Sequence, residues 1–418
     1  EPISIQLKDL PNKVDELEFL INVQQQNIID EKKLSVAAGN LVAKIYDELL
    51  NAYAQHANTE DKRIQQSLNV LIVRLVFLLY ADDTGILGSH NMFQRFMANR
   101  EPQYIRRDLI ELFRVLNMTE EQREKYDPFL DDEFKQFSYV NGGMFADEDI
   151  FVPQFTKELK TLIVDEAGRG FDWSNISPTI FGAVFESTLN PETRRKGGMH
   201  YTSIENIHKV IDPLFLNELN AEMKKIRNMQ QLNKRKQAAK EFQEKLGKLK
   251  FFDPACGSGN FLTESYLCLR RMENECLQII YGNDSLLNTF NIRDIIKVHI
   301  QNFYGIEIND FAVSVARTAM WIAESQMFEE TKNIVYTQDD FLPLDSNDSI
   351  YEGNALRMSW EDIVKPYELD YIMGNPPFIS NSGRTAKSAG SSASQMTAEQ
   401  KEDRVNIIGA KSNSLDYV

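Results

Sequence analysis

At 418 residues, with 42% hydrophobic and 26% charged residues, the chain has the size and composition of a folded protein of two or three domains, not of a disordered or fibrous one. A formal net charge of −16 argues against this chain alone gripping nucleic-acid phosphate; it either simply keeps a large protein soluble or leaves a main basic surface to sequence outside the chain. No run of eighteen or more apolar residues marks a membrane span, residues 1–10 lack a secretory pattern, and Cys256, Cys268 and Cys276 have no zinc spacing, so a reducing cytoplasm is the expected compartment.

Residues 1–165 are predicted to form an all-α domain. Apolar residues recur at helical spacing over 34–50 and again over 68–80. In the second stretch Val70 to Val73 and Leu75 to Leu79 are apolar nearly all round, the pattern of a buried helix. Asp82 and Asp83 after it read as solvated helix-end charges, not as catalysts. Residues 166–250 are assigned as a linker followed by helices. Gly197 and Gly198 after a basic run mark a turn, and Thr202 or Ser203 is placed to cap the next helix, with Glu205 in its first turn. The block 221–250 carries ten Lys or Arg against three Glu. It reads as a solvated amphipathic helix with Ile226, Met229, Leu232 and Phe242 as its stripe, or as a surface that touches phosphate.

From about residue 250 the pattern becomes strand, glycine turn, helix. Strands are predicted over 249–252, 302–306, 334–337, 349–352 and 369–373, with helices between several of them. That alternation implies an α/β unit with a mostly parallel sheet covered on both faces. Residues 380–414, rich in Ser, Gly, Ala, Lys and Gln, are expected to be a mobile tail.

Three motifs carry chemistry. In the first, a strand ends at Asp253 and runs through Pro254, Ala255, Cys256, Gly257, Ser258 and Gly259 into a helix beginning near Asn260 and Phe261. Glycines there let backbone approach a ligand at the carboxyl end of a strand. The acid before them suits a ligand with a cationic ammonium group better than a pyrophosphate. The second motif is Tyr304-Gly305-Ile306-Glu307-Ile308-Asn309. An acid at a strand end accepts hydrogen bonds from vicinal ribose hydroxyls, and the 48 residues from Gly259 to Glu307 call for an inserted segment near 281–300. The third is Asp370-Tyr371-Ile372-Met373-Gly374-Asn375-Pro376-Pro377-Phe378. Here the Asn375 amide oxygen and the Pro376 carbonyl can accept both protons of an NH2 group, and Phe378 offers a face for a base. Alone, Asn-Pro-Pro is also simply a good turn. Asn354 and Ala355, between the last two motifs, are candidates for reading an adenine edge, or else a plain strand-end turn.

In this order the motifs resemble the amino-methylating DNA methyltransferases of the γ arrangement. The resemblance is closer still to MmeI-type fused restriction–modification enzymes and runs along nearly the whole chain. It is carried by Arg74-Leu75-Val76-Phe77-Leu78-Leu79-Tyr80-Ala81-Asp82-Asp83-Thr84-Gly85, by Tyr139-Val140-Asn141-Gly142-Gly143-Met144-Phe145, by Ile180-Phe181-Gly182-Ala183-Val184-Phe185-Glu186 and by Leu415-Asp416-Tyr417-Val418. It implies S-adenosylmethionine as cofactor, double-stranded DNA as partner and a Rossmann-like methyltransferase sheet, incomplete here, over 251–418. It further implies that Tyr201 and Thr202 contact the methionine end of the cofactor. Asp253, Ala255, Gly257, Gly259, Asn260 and Phe261 would form the cofactor loop, Glu307 and Ile308 hold the ribose side, Asn354 and Ala355 the adenine, and Asn375, Pro376, Pro377 and Phe378 the target base. In that family a spacer joins a nuclease to the methyltransferase and a recognition domain comes after it. No nuclease pattern precedes the helices here, so no cleavage is assigned, and a recognition domain is expected in the full-length chain.

The reaction implied is methyl transfer to the exocyclic amine of a flipped adenine. N4-cytosine, RNA and protein-glutamine methylation remain as alternatives, as does a non-catalytic scaffold. Carbon-5 cytosine chemistry needs a nucleophilic cysteine at the base, and Cys256 lies instead in the cofactor loop.

Overall fold

A computed structural model describes residues 23–140, 144–189, 202–282, 292–335, 349–376 and 398–408. The N-terminal region is helical, as its periodicity requires. Helix α1 (Val23–Ala54) packs on α2 (Lys62–Asp83), which starts where the Asp61 carboxylate accepts from Arg63 N at 2.9 Å. Among the described residues α2 is the one helix long and apolar enough to cross a membrane, but its apolar faces are covered by protein from Leu68 to Ala81. Several buried or half-buried charged groups here are paired. Arg74 donates to the carbonyls of Met144 (2.9 Å) and Asp147 (2.8 Å) and lies over the Phe113 ring. Asp82 is 3% exposed, not solvated as its helix-end position implied. It accepts from Phe93 N (2.8 Å) and Gln94 N (3.0 Å) at the start of α3 (Met92–Ala98), while Asp83 accepts from Trp173 N (2.7 Å).

Helix α4 (Pro102–Leu116) touches α2 where Arg74 lies over the Phe113 ring, and α5 (Pro178–Leu189) carries the chain toward the sheet, resting on α1 at the same time. Ser203, not Thr202, caps α6 (Ile204–Ile211), accepting from Asn206 N, with Glu205 in the first turn. The basic block forms two helices, α7 (Asn217–Arg227) and α8 (Leu232–Leu246). Ile226 and Phe242 are buried, but Met229 and Leu232 are 36% and 46% exposed, because the stripe breaks at the turn between the helices.

Four parallel strands come next: β1 (Phe251–Asp253), β2 (Phe303–Glu307), β3 (Ile350–Glu352) and β4 (Tyr371–Ile372), in the order β3-β2-β1-β4. Helix α9 (Asn260–Tyr281) links β1 to β2, and α10 (Asp310–Val335) leads on from β2 toward β3. The chain thus steps outward from β1 to β3, then returns to pair β4 on the other side of β1. That reversal is the switch point at which open α/β sheets bind ligands. Rings register it: Phe251 stacks on Phe303 (5.0 Å) and on Tyr371 (5.3 Å), and Phe215 closes over Phe251.

Two further expectations fail. The strand predicted at 334–337 is helix through Val335. Val335 is buried with Leu277, Ile292 and Phe328, and a short apolar run cannot by itself tell a strand from a buried helix end. Within the tail expected to be mobile, Ala398–Ile408 forms helix α11, which docks by charge: Asp403 and Arg404 are 5% and 6% exposed despite sparse apolar content. One apolar cluster runs from Ala38 in α1 to Met373 after β4, so the helices and the sheet share a core.

Candidate functional site

The glycine loop and the Asn375 turn leave neighbouring strands at the same edge of the sheet. Gly374, just before Asn375, passes so close to β1 that a Cβ there would overlap the Asp253 carboxylate. Only glycine lets the two strand ends meet. Loop closure also comes from β2: Cys256 N donates to Ile306 O (3.0 Å), and Gly257 N donates to the Glu307 carboxylate (2.9 Å). Gly257 has φ +53° and open space where a Cβ would point, while Gly259 has φ +81° and lies against Ala316. The loop is therefore packed beneath and open above.

Asp253 is 1% exposed and receives one hydrogen bond among the described residues, from Ala255 N at 3.0 Å. Burial raises its carboxyl to about 7, and the nearby Glu307 charge adds to the rise. A buried acid with so few donors fits a cationic ligand. Glu307 is half-buried and holds both Gly257 N and Asn309 N (3.0 Å), so it spans the loop and the start of α10. Ile308 beside it is 68% exposed, an apolar side chain left uncovered at the ligand edge. These features, an underbonded acid, an open glycine loop, a strand-end acid and an exposed apolar residue, fit a nucleoside bearing a cationic amino-acid arm.

Asn260 and Phe261 are buried beneath the loop, at 7% and 4% exposure. Asn260 Oδ1 faces Gly182 of α5, where a Cβ would sit only 2.9 Å from it and from Ser258 O. Asn354 lies beyond β3, with its Oδ1 bonded to Leu356 N (2.9 Å) and its Nδ2 to Asp403 of α11 (3.3 Å); Arg357 Nε reaches the same acid at 2.7 Å. The carbonyl of Ala355 accepts from Trp360 Nε1 (2.8 Å). Asn375 is exposed, and its Nδ2 donates to Thr202 Oγ1 at 3.2 Å. Pro376 comes directly after it, half-buried. Tyr201, Pro377 and Phe378 lie outside the described residues.

Sequence reasoning missed several contributors. Asp403, Arg357 and Gly182 reach the site only through non-local packing. So does the link under it, where His208 Nδ1 meets Asp212 (2.7 Å) and Nε2 meets Glu264 of α9 (3.3 Å), with Cys268 beside Glu264. The Glu264 contact, offset in part by burial and aided by Asp212, raises His208 to about 9, so α6 is tied to α9 by an imidazolium between two carboxylates. Cys256 is buried and its thiol is pushed well above its ordinary range by burial and by Asp253 and Glu307, which removes it as a nucleophile. A cleft of about 560 Å³ between α2 and α10 borders the site through Asp310 and Glu352, but Asp253, Gly257 and Asn375 do not line it.

Known proteins resemble this chain in sequence and in fold. Residues 229–418 match the family model described as the MmeI DNA-methyltransferase domain, and residues 66–145 that described as the MmeI helicase spacer domain. DNA methyltransferase A of Bacillus subtilis (strain 168) is 32% identical over 434 aligned positions, spanning 100% of this chain and 44% of that protein. A putative type II restriction enzyme and methyltransferase of Methanocaldococcus jannaschii is 23% identical over 375 positions, 78% of this chain and 30% of its own length. The solved structure of the type IIL restriction–modification enzyme MmeI in complex with DNA superposes with a TM-score of 0.74 at 32% identity, covering 92% of this chain and 47% of that one. The chain spans less than half the length of each of these relatives. With these two segments in the same order and on the same fold, the chain carries the spacer and DNA-methyltransferase domains of the MmeI family.

Proposed function

We propose that this chain is the spacer and catalytic part of a site-specific DNA methyltransferase that modifies the exocyclic amine of a flipped adenine within a cytoplasmic restriction–modification system. In this reading residues 1–165 are the spacer, 166–250 the linker and leading helices, and 251–418 the catalytic core. The observation that carries it is the meeting of the Asp253 loop and the Asn375 turn at one switch point, with Gly374 against Asp253.

Asp253, Gly257, Gly259, Glu307, Ile308 and the 354–355 turn would hold S-adenosylmethionine, with Asn260 and Phe261 supporting the loop from below. Bound there, that cofactor supplies a methyl group activated by a sulfonium. The chain's own residues do the positioning. Asn375 Oδ1 and the Pro376 carbonyl accept the two protons of the base amine and turn its lone pair toward the cofactor loop. Phe378 would stack on the base, returning roughly 1–3 kcal/mol of the few kcal/mol that flipping costs. No strong base is required, because the amine loses its proton after the new bond has made it acidic. Catalysis is then orientation and hydrogen bonding.

The test is Asn375→Ala in the full-length enzyme. Calorimetry should show S-adenosylmethionine affinity within about twofold of wild type, since Asn375 only meets the base. Labelled-methyl transfer to DNA should fall about 100- to 1,000-fold, the scale of losing a transition-state hydrogen-bond partner. Mass spectrometry of wild-type product, with RNA and protein as competing acceptors, should find N6-methyladenine; N4-methylcytosine or a methylated protein would overturn the substrate assignment.

A further inference from the structure

Resting on that reading, we infer that Thr202 is a positioning residue for Asn375 and not only part of a cofactor wall. A primary amide has one acceptor end and one donor end, and the proposed chemistry needs the acceptor end on the target amine. Asn375 is exposed at a strand terminus, where nothing in the strand itself fixes which end faces the base. Its Nδ2 lies 3.2 Å from Thr202 Oγ1. A hydroxyl can donate as well as accept, but in this arrangement it accepts from Nδ2, which leaves Oδ1 turned away and open to the substrate. A flipped amide would aim two N–H groups at an amine that also donates.

Thr202 is itself well anchored. It immediately precedes Ser203, the cap of α6, whose Oγ accepts from Asn206 N. Helix α6 is pinned through His208 to Glu264, one turn into the helix that opens on the glycine loop. Thr179 Oγ1 bonds the other oxygen of Glu264 at 3.2 Å, fixing that acid. The orientation of the base-facing amide is thereby referred back, through α6 and His208, to the helix under the cofactor loop.

The experiment compares Thr202→Val and Thr202→Ser in the full-length enzyme. Single-turnover methylation is measured at saturating DNA and cofactor, and S-adenosylmethionine affinity by calorimetry. Valine keeps the shape and removes the hydroxyl, so the expected result is a rate about tenfold slower, with cofactor affinity within about twofold and an unchanged melting temperature. Serine should recover most of the rate. An unchanged rate in the valine variant overturns the inference. So does weakened cofactor binding with the rate at saturation intact, which would confine Thr202 to the methionine end. An Asn375→Ala enzyme that methylates normally would instead overturn the underlying functional reading, so the two failures are distinguishable.

Discussion

Two buried aspartates, one in the helical region and one at the sheet edge, divide structural burial from functional burial. Asp82 is shielded from water and its carboxyl is raised by that burial, but two backbone donors at the start of α3 draw it back down. Its hydrogen-bonding capacity is committed to joining two helices. Asp253 is buried more completely, receives a single backbone donor among the described residues and faces a second acid, Glu307. Nothing in the fold is gained by such an arrangement on its own, since an underbonded carboxyl in a dry setting costs stability. The contrast separates an acid whose bonds are spent within the fold from one that the proposed function assigns to a cation.

Replacing each aspartate in turn attacks that contrast directly. Asp253→Ala is expected to weaken S-adenosylmethionine binding by about 100-fold, ~2.7 kcal/mol, with a melting temperature equal to or above wild type. Asp82→Ala should do the reverse. Loss of the partner of two buried donors is expected to destabilise the protein by about 1–3 kcal/mol in urea, while the folded fraction binds cofactor normally. If both variants lost stability and neither lost affinity, the distinction would disappear.

Titration sharpens it. The Asp253 carboxyl sits at about 7 in the folded protein, above its ordinary value of 3.8, so folding favours the neutral form. The stability it contributes is fully present below the ordinary value and is lost as pH rises through about 7. A cationic ligand favours the charged form instead. S-adenosylmethionine should therefore bind more tightly at about pH 7.5 than at about pH 5.5, by up to about tenfold per unit below 7, and release a proton on binding. Calorimetry in buffers of different ionisation enthalpy reads this release, and Asp253→Asn should flatten the profile.

The parts of the site that were legible in the sequence are those written by local punctuation. Gly257 and Gly259, the acid at the end of β2 and the paired prolines after Asn375 each specify a strand end and its turn within a few residues. The helical N-terminal region was equally legible, because its 3.6-residue pattern repeats over several turns. Failures came where long-range packing decides. The end of α10 looks like a strand until Leu277 and Phe328 are seen to cover it. Helix α11 lacks an apolar stripe, and its docking depends on Asp403 meeting Asn354 from 49 residues away. Ser203 and Thr202 were interchangeable as caps by composition, and only geometry divided the work between them.

The missing side chain of Gly182 has a mechanical side. Helix α5 leans on α1 with one flank and on the cofactor loop with another, and at Gly182 there is no room for a methyl between helix and loop. Contact that close transmits displacement without slack: the long helices toward the N-terminus cannot rock against the sheet without shifting Ser258 and Asn260. The glycine loop is thus also a bearing surface of the larger architecture, and a ligand bound on it as proposed would be felt by everything built on that helix.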